Sequence, residues 1–149
     1  DVVASMTNLR STCSEAGDQF YTEATFDVQA RRTDASTARE VVLPYFAVVV
    51  RGGNVVTAKR VGQVRLAFAP GENRASASAK AGSYVDRSVA NMPAEIQRKI
   101  MQERKAGDAD ASLAPFSLPE VRDALQRTSF ELLVGFNLTQ DQFKYNATR

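Results

Sequence analysis

From Phe20 to Arg31 the chain alternates without a slip. Phe20, Thr22, Ala24, Phe26, Val28 and Ala30 fall on one phase, and Tyr21, Glu23, Thr25, Asp27, Gln29 and Arg31 on the other. A period of two sends the two sets to opposite faces of an extended strand, whereas a helix would mix them. This segment is therefore committed to a half-buried antiparallel strand, and its apolar face needs a second layer of structure to cover it.

Other segments repeat the signal between turn residues. Val2 to Leu9 is a weaker strand candidate, closed by the turn-like Ser14 to Asp18 with Gly17 in it. Arg32 to Arg39 reads as a polar loop. Val41 to Val50 is apolar on both faces and rich in β-branched residues, which places it centrally, with Pro44 expected to force a bulge or an edge exposure near its start. Arg51, Gly52, Gly53 and Asn54 make a hairpin turn that needs positive φ. The next strand runs from Val55 through Val64, Leu66 and Phe68, with Gly62 as a possible bulge, and stops at Pro70 and Gly71. Arg74 to Tyr84 alternates Ala75, Ala77 and Ala79 with Ser76, Ser78 and Lys80, and fits another strand.

The period changes at Asn91. Met92, Ile96 and Ile100 recur every four residues, Pro93 suits a first turn, and Glu95 with Lys99 forms an i,i+4 pair, so a helix of about three turns is expected before Gly107. A polar linker, Asp108 to Ser112, leads to a capping box at Ser117-Leu-Pro-Glu120 and a second helix with Val121, Ala124 and Leu125 as its stripe. The period then returns to two: Phe130, Leu132, Val134, Phe136 and Leu138 share a face, and Thr139-Gln-Asp-Gln142 caps a short final helix carrying Phe143. The expected fold is mainly β. It is an antiparallel β-sandwich with a two-helix insertion at about 91–127 before the last strand and a short C-terminal helix, in a single domain over residues 1–149.

Composition excludes several classes of function. The 149 residues, 44% of them hydrophobic and 24% charged, can bury a core without metals or disulfides. Nineteen basic residues against seventeen acidic ones leave a net charge of +2, too balanced for a nucleic-acid groove. There is no His, which removes Ser-His-Asp and Cys-His nucleophile pairs and His-ligated metals. Cys13 is the one cysteine, so no intrachain disulfide or thiolate cluster can form. The longest apolar run, Val41 to Val50, is shorter than the ~18 residues of a membrane span. The chain opens on Asp1 without Met or a signal sequence, so a processed or excerpted protein is expected, with any targeting signal upstream.

Three segments together resemble an uncharacterised family of alphaproteobacterial envelope lipoproteins, closest to its sphingomonad-like branch. They are Asp1-Val-Val followed by Cys13, LPYFAVVV with the GGNVVTAKR turn (Leu43 to Arg60), and ELLVGFNLTQDQFKYN (Glu131 to Asn146). The resemblance implies a secreted protein with a lipid-modified N-terminus upstream of Asp1, an immunoglobulin- or fibronectin-like sandwich, and a periplasmic or outer-membrane address. It brings no activity with it, and Asn91 to Arg127 looks like an extension over shorter members.

Each candidate site has a plainer alternative. Cys13 reads as a reactive thiol, one paired with an upstream Cys, or a small buried hydrophobe. Asp108, Asp110 and Glu103 offer oxygen ligands but lack calcium-loop spacing, so a solvated linker is favoured. Arg98, Lys99, Arg104 and Lys105 suit anionic headgroups, yet Glu95 and Glu103 are interleaved with them as on an ordinary exposed helix. Gly52 and Gly53 with Lys59 and Arg60 lead into a strand, which makes a hairpin and not a phosphate loop. Asn137-Leu-Thr139 and Asn146-Ala-Thr148 match the glycosylation pattern and are expected to be unmodified in a bacterial protein. Tyr45, Phe46, Phe136 and Phe143 are assigned to the core in preference to a ligand pocket.

No catalytic, cofactor or metal residue is assigned, and no nucleic acid is expected as a partner. The leading expectation is a non-enzymatic accessory module of a cell-envelope assembly, docking through a sandwich edge or through the insertion. The alternative is a periplasmic small-molecule or lipid carrier with a pocket between the sheets or under the two helices, in which Met92, Ile96, Ile100 and Leu125 would line an apolar cavity. A carboxylate-only hydrolase comes third.

Overall fold

The computed structural model describes residues 1–90, 93–101 and 119–148, in which six strands form two three-stranded antiparallel sheets. Sheet A has the order β1 (Val2–Ala16), β2 (Gln19–Arg32), β5 (Arg74–Asp86); sheet B has the order β4 (Val55–Phe68), β3 (Arg39–Arg51), β6 (Phe130–Phe136). The described residues also include four short helices: α1 (Arg87–Ala90), α2 (Ala94–Met101) and α3 (Pro119–Thr128) before β6, and α4 (Gln140–Ala147) after it. The chain is thus mainly β, as its alternation required.

Each sheet begins as a hairpin. Gly17 (φ 62) turns β1 into β2, while Gly52 and Gly53 (φ 61 and 81) turn β3 into β4, conformations open to Gly at no steric cost. The connections from β2 to β3 and from β4 to β5 cross between the sheets. Alternate residues then meet in one core. Phe26, Val28, Ala30 and Ala81 of sheet A pack against Tyr45, Ala47, Val64, Leu66 and Phe68 of sheet B, and β6 adds Leu132, Val134 and Phe136 from the side. Tyr45 binds the layers together, its ring edge-on to Phe26 (centroids 5.2 Å) and its hydroxyl donating to the Lys80 carbonyl at 2.8 Å.

Several expectations need correction. The first strand does not stop at Leu9. β1 continues to Ala16 as the outer member of a long hairpin, with a register shift between Thr7 and Arg10 where Asn8 takes φ 52, and the turn-like Ser14 lies inside it. Gly62 marks no bulge. It stands opposite Tyr45, whose ring lies over it; a Cβ there would come within 2.5 Å of that ring. Pro44 sits in unbroken register within central β3, and the shift falls at Val49/Val50 instead. The reason is positional. The Asn137 amide donates to the Pro44 carbonyl one residue beyond the end of β6, so the N–H that Pro lacks faces a ladder that has already finished.

Arg32, read as the start of a polar loop, is the last residue of β2 and only 5% exposed. Its guanidinium donates to the carbonyls of Glu72 (2.9 Å), Thr37 (2.7 Å), Ala69 (2.9 Å) and Ala35 (3.4 Å), and it lies 5.0 Å from the Phe68 ring centroid. These carbonyls belong to both crossing loops. A buried cation is tolerated here because aligned backbone dipoles replace its water.

In the inserted region α2 packs on α3, and α3 buries Val121 and Ala124 completely. Met92, the end expected for the first helix and the Ser117 capping box lie outside the described residues. The capping box at Thr139 is present: its hydroxyl accepts from the Gln142 amide (3.3 Å), and the Gln142 side chain accepts from the Thr139 amide (2.9 Å).

Candidate interaction site

The outer faces of the two sheets differ in how their apolar residues are grouped: sheet A exposes Val3, Leu9 and Tyr84 singly. On sheet A the outward phase of β2 is polar and its groups satisfy one another. Asp27 accepts from Ser78 (2.7 Å) and Asn8 (2.9 Å), bonds that hold its carboxyl below the usual carboxylate range, the Ser78 bond contributing most. Tyr21 donates to Glu23 at 2.9 Å, which pushes the phenol upward, and its ring lies 4.9 Å from that of Tyr84. At the far end Arg31 stands directly opposite Arg74, a like-charge pair that weakens the ladder locally.

Sheet B presents apolar residues to solvent instead. Because β3 is apolar on both phases, the residues between its core positions, Val42, Phe46 and Val48, point outward. Register extends the stripe across all three strands: Phe46 lies between Val61 of β4 and Gly135 of β6, and Val48 lies between Lys59 and Leu133. Val61 is 71% exposed and Leu133 47%. Gly135 makes room for the Phe46 ring, whose Cζ would stand 2.8 Å from a Cβ at that position. The Arg65–Glu40 ion pair (3.0 Å) and Lys59 border this face with charge.

A second feature lies between the sheets, where β1 and β6 diverge. A cleft of about 310 Å³ opens there, lined mainly by Phe20, Val49, Val85, Phe130 and Leu132, with Cys13 and Glu131 among its polar lining groups. Arg87 borders the same end, 3.3 Å from Glu15 and over the Phe20 ring. Its Nε is buried with no hydrogen-bond partner among the described residues.

The residues singled out in sequence are scattered. Cys13 is exposed and not buried: it lies on the far half of β1, where neither phase of the strand is buried, at the open cleft. Of the four aromatics assigned to the core, Tyr45 belongs there and Phe136 is half-buried against it, but Phe46 lies on the outer face and Phe143 is 64% exposed on α4, which buries no residue. Gly52 and Gly53 form the hairpin turn, with Lys59 and Arg60 in the strand beyond. Arg98 and Glu95 are exposed on α2, and Asn137 and Asn146 are exposed. Glu103, Arg104, Lys105, Asp108 and Asp110 lie outside the described residues. Ile96, Ile100 and Leu125 are half-buried near the α2–α3 contact and do not line the cleft.

Sequence reasoning missed Arg32 and the outer apolar face. The signal for the face was the two-phase apolarity of Val41 to Val50, read only as central burial. Among the described residues no cluster of three or more Cys, Asp or Glu is placed to hold a metal ion, and no helix is long and apolar enough to cross a membrane. Comparisons with known protein families, curated proteins and solved structures return no significant match.

Proposed function

We propose that this chain is a non-enzymatic interaction module of the bacterial cell envelope. In this reading it has an immunoglobulin- or fibronectin-like sandwich, is anchored by a lipid upstream of Asp1, and serves as an accessory subunit of a larger outer-membrane or periplasmic assembly. One observation carries the interaction part: the outer phase of sheet B forms an apolar stripe through Val42, Phe46, Val48, Val61 and Leu133 rimmed by charge, whereas sheet A exposes Val3, Leu9 and Tyr84 singly among polar groups. Contiguous exposed apolar surface with a polar rim is what a protein partner covers. The envelope address and the anchor rest on the three resembling segments.

Crosslinking and co-purification from native envelopes test the proposal. A stoichiometric partner captured by the parent chain and lost with Val42→Glu plus Val61→Glu is expected; capture that is absent, or indifferent to those changes, refutes it. The cleft beside Phe20 and Phe130 favours a second reading as a small-molecule or lipid carrier, since its size reaches the lower end of ligand pockets. Native mass spectrometry separates the two: a retained apolar ligand supports the carrier, and a clean apo mass counts against it.

A further inference from the structure

The two edges of sheet B are finished differently. On β4 the core-facing Val64, Leu66 and Phe68 are 4%, 0% and 2% exposed, because β5 of the other sheet lies close along that side. On β6 the core-facing Phe130, Leu132, Val134 and Phe136 are all only half-buried, and among the described residues β6 pairs with β3 alone. The edges also differ in protection. β4 carries Lys59, Arg60, Gln63 and Arg65, side chains that discourage pairing with another strand, whereas β6 has a single charge, Glu131, with no Pro and no register shift.

Two hydrogen bonds fix which backbone groups face that open edge. The Asn137 amide donates to the Pro44 carbonyl (2.8 Å) and the Gly52 amide to the Ser129 carbonyl (3.0 Å), so the odd-numbered residues 129–137 turn toward β3. The N–H and C=O groups of Phe130, Leu132, Val134 and Phe136 then point away from it, because the direction alternates along a strand. Among the described residues, the half-buried side chains and the backbone groups left without a ladder partner belong to the same four residues.

We propose that β6 pairs with β6 of a second copy of this chain, antiparallel about a two-fold axis, joining two sheets into one of six strands. The register that uses the whole strand sets Leu133 against the partner's Leu133. Phe130 then lies opposite the partner's Phe136, Leu132 opposite the partner's Val134, and about eight backbone hydrogen bonds form. The pairing is self-complementary. Glu131 meets the partner's Gly135, so the only charge in the strand faces no charge, and the exposed Leu133 is covered by its own copy as an apolar cross-strand pair. An isologous contact of this kind closes at a dimer. It uses the edge of sheet B and meets its outer stripe only at Leu133, leaving Val42 and Val61 uncovered, and so stands apart from the partner proposed above.

Sedimentation of the full chain from micromolar to near-millimolar concentration is expected to show a reversible twofold rise in mass. Val134→Pro removes an N–H directed at the open edge and none donated to β3, so it is expected to abolish the dimer with an unchanged circular dichroism spectrum. A separate measurement holds whether or not that variant folds. In a Cys13→Ser background, Leu133→Cys is expected to give a covalent dimer on oxidation, since a pair without mutual hydrogen bonds brings Cβ atoms near disulfide distance, while Val61→Cys stays uncrosslinked. A single-chain mass at every concentration overturns the proposal. So does a dimer that persists in folded Val134→Pro, or crosslinking at Val61 in place of Leu133.

Discussion

Replacing Arg32 by Met tests the account of how the two crossing loops are held. Met keeps an unbranched stem against Phe68 and removes every donor. Three short bonds are lost, to Glu72, Thr37 and Ala69, with the longer one to Ala35. Hydrogen bonds to a charged group contribute roughly 1.5–3 kcal/mol each, so simple addition gives at least about 4.5 kcal/mol. That sum overshoots. Met relieves the cost of desolvating a guanidinium, which is of the order of a few kcal/mol, and loop carbonyls can recover water. A net loss of about 3 kcal/mol remains, equivalent to about 6–12 °C in Tm for a chain of this size. Urea and thermal unfolding measure the loss, and hydrogen exchange should show residues 33–38 and 69–73 opening together. Arg32→Lys should fall between parent and Met, because one ammonium cannot span carbonyls on both loops. A Met variant melting within about 2 °C of the parent, or full rescue by Lys, would refute the reasoning.

The other tests are narrower. Gly62→Ala drives a Cβ into the Tyr45 ring and is expected to cost about 1–3 kcal/mol in urea unfolding; Tyr45→Phe strands the Lys80 carbonyl and should cost about 1–2 kcal/mol. Thr139→Ala removes the α4 cap, and faster exchange at the Gln142 amide with little change in global melting is the expected signature. The carboxyls of Asp27, Asp34 and Asp86 are all held below the usual carboxylate range by hydrogen bonds, led by those from Ser78, the Ser36 amide and the Ser88 side chain respectively. Their folded pKa values are depressed, so they stabilise the fold fully above about pH 4 and lose that contribution as pH falls through the lower folded values. NMR titration checks this directly, and an Asp27 pKa at or above the unfolded value contradicts it.

The parts of the fold that could be read from sequence are those where burial is one-sided. Phe20 to Arg31 sorts into two phases and Phe130 to Phe136 nearly so, Leu133 being the apolar residue off phase, so strand and core-facing side followed from spacing. The far half of β1 could not be read in this way. Ser11, Thr12 and Ser14 are exposed like their neighbours, and a strand with no buried phase leaves no period to detect. Gly62 failed for a different reason: a strand glycine serves either a bulge or a close approach, and only the identity of the residue opposite decides. Arg32 looked like loop because its partners are carbonyls, which carry no sequence signature. The outer face of sheet B followed from one pattern with two readings. Full burial of both phases was the plainer reading, yet on the outer phase of central β3 Val42 is exposed and Phe46 and Val48 are only half-buried.

The place of β6 in the chain has a consequence during synthesis. Arg51 pairs with Phe130, so more than half of the chain is made between the two partners. Strands β1 to β5 can assemble as they leave the ribosome, but β3 must wait for the inserted helices to be translated before its second neighbour arrives, an interval of a few seconds at ordinary elongation rates. Throughout that interval the backbone of Phe46, Val48 and Val50 lies open along one side of a nascent chain. A stalled chain ending before Phe130 should therefore bind general holdase chaperones more strongly than one carrying β6, and equal binding would show that the exposed edge is no liability. By this account the insertion is also a delay line, and its length sets how long the newborn protein depends on help.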